Sequence, residues 1–217
     1  MINKPPKYDL RSATRDEVVA LFEECHGYKS LSASVTYCFA VFEDGKPIAA
    51  YAWQPPPPGA AKSVCPEAPQ GVLSLSRMVA VDKKNRRLKH IGKPLRRQMN
   101  HAIDRTRWPV LVTYSDEGEG HNGFVYKCSG WTPTTRNKRP VNVNADGARH
   151  SSYSNGKHGK RALTRVGTTW IQRWESRVCA KGEALAWMTA HGWTRVVVPG
   201  KRWASGKQAH TYARVSA

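Results

Sequence analysis

Hydrophobic and polar positions in the first quarter of the chain predict one helix followed by one hairpin. In residues 14–25 the apolar side chains recur at helical spacing, and Thr14 and Glu17 form the pattern of a capping box. Two strand-like runs, 36–43 and 47–54, flank an Asp-Gly dipeptide, which is typical of a tight β-turn. The chain is therefore expected to begin with a helix and two antiparallel strands.

The middle of the chain predicts two strands joined by a helix. A proline block at 55–58 is interpreted as a rigid spacer, although polyproline also binds partner domains. Residues 71–82 predict a strand, and after a basic loop Pro94 can open a helix that continues to Arg107. The wholly apolar run 109–114 predicts a strand that is covered on both faces.

The second half of the chain is less regular. Residues 132–166 are polar, basic and rich in Asn, Ser and Gly, which predicts a long loop or insertion. The C-terminal part, about 167–217, looks partly helical and ends in a late strand at 193–200. The order of elements predicts an α/β fold in a single domain, 1–217, with its core at about 7–131.

The net charge of the chain indicates what kind of partner it binds. Thirty-five Lys and Arg against sixteen Asp and Glu give a formal charge of +19. Such an excess attracts polyanions and holds phosphates by releasing counterions, and here it is spread along the chain rather than gathered in a tail. A solubilising surface is the alternative. The sequence shows no basic amphipathic helix of the kind that would indicate a membrane partner.

Cysteine spacing and hydropathy indicate the compartment. The five cysteines are widely spaced without a CxxC pair, which indicates neither a disulfide framework nor a zinc ribbon. No run approaches the roughly 20 apolar residues that cross a bilayer, and the N-terminus lacks the apolar core of a secretion signal. The sequence therefore predicts a cytoplasmic location.

Residues 75–98 resemble the core of the GNAT acyltransferase superfamily. In that family a strand, a loop patterned Q/R-x-x-G-x-G/A and a helix N-terminus bind the pyrophosphate of coenzyme A through backbone N–H groups. The resemblance implies a mixed, mostly antiparallel central sheet flanked by helices, here with a polar insertion and a C-terminal extension. The residues that it assigns to the cofactor are Lys89, His90, Gly92 and Lys93. Pro94 replaces the second small residue of the loop, which disfavours acetyl-CoA.

A longer resemblance covers nearly the whole chain. The blocks 54–81, 89–99, 108–131 and 151–159 are similar to the Mom family, the phage Mu-type DNA adenine-modification proteins. The resemblance implies conversion of adenine in double-stranded phage DNA to N6-carbamoylmethyladenine inside an infected bacterial cell, as protection against restriction. An ordinary GNAT N-acetyltransferase for a small molecule or protein and a non-enzymatic DNA-masking protein are the alternatives.

Atom balance bears on the donor. An acetyl group brings no nitrogen, whereas the carbamoylmethyl group has the composition of a glycyl residue. We therefore favour an activated glycyl ester, glycyl-tRNA, over acetyl-CoA, which makes tRNA a second expected partner.

Three polar residues in or just after the predicted strands 71–82 and 109–114 are candidates for the chemistry. Asp116 follows the buried strand 109–114, at the edge where α/β sites form, and is the first candidate for general base or partner of adenine N6. A turn or cap role is its alternative. Ser115 is expected to orient the base. Arg77, within the strand 71–82, is expected to pair with Asp116, a donor carboxyl group or a phosphate, or to form a plain ion pair.

Two further candidates lie in the segment after that strand. The GNAT resemblance assigns a general acid to Tyr126, whose alternative is ordinary aromatic packing. His121 is a candidate proton shuttle because histidine side chains in general exchange protons near neutral pH, and hydrogen bonding within the loop is its alternative.

Nucleic-acid contacts are expected on the basic surface. An enzyme that acts on adenine N6 is expected to extrude the base, with Tyr153, Trp53 or Trp203 stacking on it. The residues expected to hold phosphates are Arg96, Arg97, Lys157, Lys160 and Arg161.

The resemblance raises iron as a cofactor, with His26, Tyr28, Asp116 and Tyr126 as the set that would have to converge. No HxxH, HxD or HExxH spacing supports it, so no metal ligand is predicted. The oligomeric state stays open, a dimer included.

Overall fold

A computed structural model describes residues 8–25, 31, 35–81, 102–143, 149–150, 164–202 and 208–214. The strands in these ranges are β1 (Tyr8–Ala13), β2 (Tyr37–Glu43), β3 (Lys46–Gln54), β4 (Val72–Ala80), β5 (Val110–Asp116), β6 (Thr132–Val143), β7 (Arg149–His150), β8 (Thr164–Arg177), β9 (Trp193–Arg202) and β10 (Gln208–Arg214). The helices are α1 (Arg15–Cys25), α2 (Pro58–Val64), α3 (Phe124–Cys128) and α4 (Ala184–Ala190), and single 3₁₀ turns occupy Pro69–Gly71 and Glu117–Glu119.

Eight of these strands form one mixed sheet. Their order is β1-β2-β3-β4-β5-β8-β6-β7, and β9 and β10 form a separate antiparallel pair. Neighbouring strands of the large sheet run antiparallel except β4 and β5, which are parallel. The predicted α/β fold with a mostly antiparallel central sheet and flanking helices is confirmed.

The capping box predicted for α1 is present. The backbone N–H of Thr14 donates to the Glu17 carboxylate over 2.7 Å, and the N–H of Glu17 donates back to the Thr14 hydroxyl over 3.3 Å. Arg11 donates to the same carboxylate over 2.8 Å. The Arg11 hydrogen bond, with that of Thr14, lowers the pKa of Glu17 to about 2.

The predicted hairpin is also present, and its turn explains the register of β2 and β3. Asp44 and Gly45 both have positive φ, 49° and 79°, as a two-residue turn between twisted antiparallel strands requires. Because Asp tolerates the left-handed region better than most residues and Gly adopts it without steric cost, this dipeptide fits both turn positions.

The two faces of the sheet are buried against different partners. On one face, Leu73 and Leu111 pack with Trp53, Trp131 and Trp174, and we call this side the aromatic face. On the other, which we call the α2 face, the alternate strand residues pack against α2 and α4. These residues are Val72, Val110 and Val112. The strands predicted at 71–82 and 109–114 are thus covered on both sides, as their apolar runs indicated.

Two basic residues of the run before β5 point inward. Arg105 donates to the carbonyl oxygens of Pro109 and Ser176 over 3.0 and 2.9 Å, which joins the start of β5 to the end of β8. Burial lowers the pKa of Arg105 to about 10. Arg107 donates to the carbonyl oxygen of Gln70 over 2.8 Å. These two charged side chains therefore stabilise the fold through hydrogen bonds to buried backbone carbonyl groups. The predicted helix from Pro94 lies mainly in residues outside the described ranges.

The prediction of a loop over residues 132–166 was wrong at both ends of this range. Residues Thr132–Val143 form β6, and they pair in antiparallel register with β8, which begins at Thr164. Side chains on both faces of β6 are mostly exposed, so its sequence lacks the alternating apolar positions that identify a half-buried strand. Among the described residues after 167, the expected helical content is found in α4 alone, while the late strand predicted at 193–200 is confirmed as part of β9.

Candidate active site at the strand fork

Strands β4 and β5 form a fork in the middle of the sheet. They pair in parallel over three residues only, from Val72 opposite Val110 to Ser74 opposite Val112. Beyond this point the Thr113 hydroxyl donates to the carbonyl oxygen of Leu75 over 3.0 Å. The strands then separate, and the backbone groups and side chains that line the opening can meet a ligand.

A bulge in β4 turns Arg77 toward the α2 face. Trp53 of β3 pairs with Leu75 and Ala52 pairs with Arg77, so Ser76 is an extra residue whose hydroxyl donates to the carbonyl oxygen of Ala52 over 3.1 Å. A bulge of this kind shifts every later side chain to the other face. The Arg77 guanidinium donates to the carbonyl oxygen of Ser76 over 2.9 Å.

Asp116 is the last residue of β5, and hydrogen bonds fix its carboxylate. Oδ1 accepts from the Thr169 hydroxyl over 2.5 Å and from the backbone N–H of Gly118 over 2.9 Å. The N–H of Gly118 also donates to the Thr169 oxygen over 2.9 Å. Asp116 therefore caps the 3₁₀ turn Glu117–Glu119, which was its alternative role. The same hydrogen bonds hold its carboxylate in one orientation at the end of β5.

Ser115 lies on the opposite face from Asp116. Its hydroxyl is buried and accepts a hydrogen bond of 2.9 Å from the Trp174 indole nitrogen. Consecutive strand residues point to opposite sides of a sheet, so the hydroxyl belongs to the aromatic face. The structure does not bring it beside the Asp116 carboxylate, which was its expected role.

Tyr126 also lies on the aromatic face. Its ring centroid is 6.1 Å from that of Trp131 and 5.9 Å from that of Trp174, in tilted contacts. Asp116 and Tyr126, predicted as base and acid of one cleft, are therefore placed on opposite sides of the sheet. For the same reason these two described members of the proposed iron set do not share an ion.

His121 is exposed and joins the site through its backbone. Its N–H donates to the carbonyl oxygen of Asp116 over 3.1 Å, which closes the loop that follows β5. Hydrogen bonding within the loop was the alternative role for His121, and its backbone N–H makes such a hydrogen bond.

The remaining site predictions lie outside the described residues. These are the cofactor candidates Lys89, His90, Gly92 and Lys93 and the nucleic-acid candidates Arg96, Arg97, Tyr153, Lys157, Lys160 and Arg161. His26, Tyr28 and Trp203 lie outside them too. Trp53, the other proposed stacking residue, is fully buried and stacks on Trp131, so it belongs to the core.

A cavity of about 270 Å³ opens on the α2 face, and it is lined by Ile171, the register partner of Asp116 on β8. It lies between the start of α2 and the strands β5, β8 and β6, and of the described residues that line it none is acidic. The polar and aromatic side chains in its wall are Ser63, Tyr114, Thr135, Asn137, Arg139 and Arg173. Asp116, Ile171 and Asn137 are register partners, so their side chains leave the same face in one row.

A buried charge cluster, missed at the sequence level, supports this cavity. Glu175 is 6% exposed and accepts from Arg173 over 3.0 Å and from Arg177 over 2.8 Å. Arg177 also donates to the carbonyl oxygen of Val64 over 2.7 Å, at the end of α2. Two arginines against one carboxylate leave the α2 face positive. The recurrence of Arg173, Glu175 and Arg177 at every second position was the signal that could have revealed it.

Basic and aromatic side chains also meet on the other face of the β6–β8 pair. The Arg136 guanidinium lies 4.4 Å and the Lys138 ammonium 5.0 Å from the Trp170 ring centroid. Arg136 in addition bonds the exposed Glu117 over 2.8 Å. This pair of strands therefore carries positive charge on both sides.

Neither a metal cluster nor a membrane span is found in the described part of the chain. There, no three His, Cys, Asp or Glu side chains lie close enough to hold a metal ion. No helix in the same ranges has the length and apolar character needed to span a bilayer.

Comparison with known proteins identifies the sequence family and the fold. The model of the Mom protein family matches residues 7–185, and no curated protein matches by sequence. Ribosomal-protein-alanine N-acetyltransferase from Brucella melitensis has a similar structure, with a TM-score of 0.50 and 12% identity over 78% of this chain and 99% of that chain. Polyamine N-acetyltransferase from Drosophila melanogaster gives 0.49 and 9% over 79% and 100%. An acetyltransferase from Bacillus subtilis in complex with CoA gives 0.47 and 10% over 81% and 100%. The expected GNAT-like fold is confirmed.

Proposed function

Because the chain belongs to the Mom protein family, we propose that it is a DNA-modifying acyltransferase that converts adenine to N6-carbamoylmethyladenine. The family match over residues 7–185 is the observation that carries the proposal. The net charge of +19 supports a nucleic-acid substrate, and the acetyltransferase fold supports transfer of an acyl group to an amine.

The strand fork supplies the groups for such a transfer. Adenine N6 is a poor nucleophile, so a base must take its proton as it attacks an activated carbonyl. Asp116 is held for this role by Thr169 and Gly118 at the tip of β5. To Arg77, on the same face across the fork, we assign binding of a carboxyl or phosphate group of the donor.

The donor that balances the product is a glycyl ester, with glycyl-tRNA as our choice. Attack by N6 on the ester carbonyl forms an N6-glycyl amide and releases the tRNA hydroxyl. The glycyl amine then attacks C6 through a five-membered ring, the bond from C6 to the original nitrogen breaks, and that nitrogen leaves as the terminal amide. The product is N6–CH2–CO–NH2, and no oxidant or reductant is needed.

The experiment is mass analysis of nucleosides from DNA of bacteria that express the chain. The proposal expects deoxyadenosine heavier by one glycyl residue. With purified protein, DNA and glycyl-tRNA carrying nitrogen-labelled glycine, the label should appear on the nitrogen attached to C6. An acetylated product, or an acetylated small amine without change in the DNA, would establish an ordinary acetyltransferase instead. Protection from restriction with unaltered nucleosides would establish a masking protein.

A further inference from the structure

We propose that the cavity beside Asp116 is a subsite that binds the extruded adenine. This inference rests on the proposed function and adds a base-binding site to it. The cavity lies on the α2 face, the face to which the Asp116 carboxylate belongs. The argument has three parts: the size of the cavity, its charge and the chemistry of its wall.

The size of the cavity fits one heterocycle. Its volume of about 270 Å³ lies just below the roughly 300–1,000 Å³ typical of sites for drug-sized ligands. A purine with part of its sugar is smaller than such ligands, whereas coenzyme A is larger. None of the described lining residues belongs to β4, so the fork between β4 and β5 is separate from this cavity and is left for the acyl donor.

The charge of the cavity fits a nucleotide rather than a cationic amine. Arg139 is exposed at the wall, and Arg173 shares Glu175 with Arg177, so the positive charge is only partly balanced. The absence of acidic side chains among the described lining residues disfavours polyamines and other cations. An arginine at the rim can bind the phosphate next to an extruded base.

The wall of the cavity offers both packing and hydrogen bonds to a base. Tyr114 and Ile171 present an aromatic ring and an aliphatic surface, on which a planar heterocycle can pack. The Asn137 amide carries one donor group and one acceptor, the pair that matches N6 and N7 of adenine.

The row of register partners connects recognition to chemistry. Ile171 stands between Asn137 and Asp116, and neighbours in such a row are about 5 Å apart. An adenine lying over Ile171 could donate one N6 hydrogen to Asn137 and present the other to Asp116. The subsite would thereby select adenine and aim its amine at the base.

Gly59 provides a steric test because a Cβ added there meets no atom of the described residues within 4 Å, apart from its chain neighbours and its own helix. Gly59 lines the cavity from α2, so Gly59→Leu should fill it without disturbing the fold. We expect this variant to lose about 100-fold in adenine modification, because the base can no longer enter. Gly167→Leu on β8 is the matched control, because a Cβ there also meets no atom of the described residues within 4 Å and Gly167 does not line the cavity; its modification should stay within about twofold. Thermal unfolding of both variants checks the fold.

A binding assay separates this inference from the proposed function. Fluorescence anisotropy compares a duplex with one unpaired adenine and the same duplex with an unpaired thymine. The wild type should prefer adenine, and Asn137→Ala should lose the preference, while Lys138→Ala, whose side chain faces Trp170, should retain it. If wild-type DNA is unmodified but the preference follows Asn137, the proposed function fails and the subsite stands. If modification occurs and Gly59→Leu modifies as well as Gly167→Leu, the subsite is refuted.

Discussion

The two sides of the sheet at the tip of β5 differ in kind, although one peptide bond separates the residues that define them. Ser115 is buried against Trp174 on the aromatic face, where indole and phenol rings pack together. Asp116 lies on the α2 face beside a cavity with polar, positively charged walls. Strand alternation thus divides this segment into a packing side and a side suited to chemistry.

The comparison changes how the candidate residues are weighed. The segment after β5 is dense in reactive side chains, but Tyr126 and Ser115 contact the tryptophans of the aromatic face. At the tip of β5 on the α2 face, ion pairs and hydrogen bonds fix the side chains, as Arg173 and Thr169 illustrate. We therefore expect substitutions at Asp116 and in the cavity to affect modification first, and those in the buried Glu175 cluster or on the aromatic face to affect stability first.

The sharpest test of this division is Asp116→Asn. Asparagine keeps the oxygen that accepts from Thr169 and Gly118, so the fold should be retained. Without a base, adenine modification should fall by about 100-fold to 10,000-fold, measured by nucleoside mass analysis. Glu117→Gln, which removes a neighbouring exposed carboxylate, should leave modification unchanged. Equal activity of the two variants would remove Asp116 from the mechanism.

Glu175→Gln tests the ionic support of the α2 face. It leaves two mostly buried guanidinium groups without their shared carboxylate, and removal of one partner from a buried ion pair typically costs about 3–5 kcal/mol. Urea denaturation should show a loss of this size. The same control, Glu117→Gln, breaks an exposed pair and should cost less than about 1 kcal/mol. Similar losses in both variants would show that the cluster does not support the face.

Local sequence patterns were enough to predict the elements whose contacts lie between residues close together in the chain. The capping box of Thr14 and Glu17 and the positive-φ turn at Asp44 and Gly45 are formed within a few residues of the chain. Each could be predicted because its hydrogen bonds or dihedral angles belong to the same short segment.

The missed features depend on distant strands. β6 has exposed side chains on both faces, so only its pairing with β8 defines it as a strand. Glu175 resembles a surface residue in its sequence context, and it is buried because α2 and the neighbouring strands cover it. The separation of Ser115 from Asp116 was predictable in principle, since extending the alternation of the strand 109–114 by two residues assigns them opposite faces.

Gly123→Ala probes the aromatic face with the smallest of the three expected effects. Gly123 has φ +72°, and a Cβ added there would lie 2.1 Å from the Trp174 ring, so the ring or the backbone must shift. Strain and overpacking together should cost about 2–4 kcal/mol in urea denaturation. Gly120 has nearly the same φ, +73°, with open space around it, so Gly120→Ala should lose only about 1–2 kcal/mol from the backbone term. The difference between the two variants isolates the contact with Trp174, and equal losses would mean that the aromatic face yields easily at this point. The remaining folded Gly123→Ala protein should still modify adenine, because Asp116 and the cavity lie across the sheet.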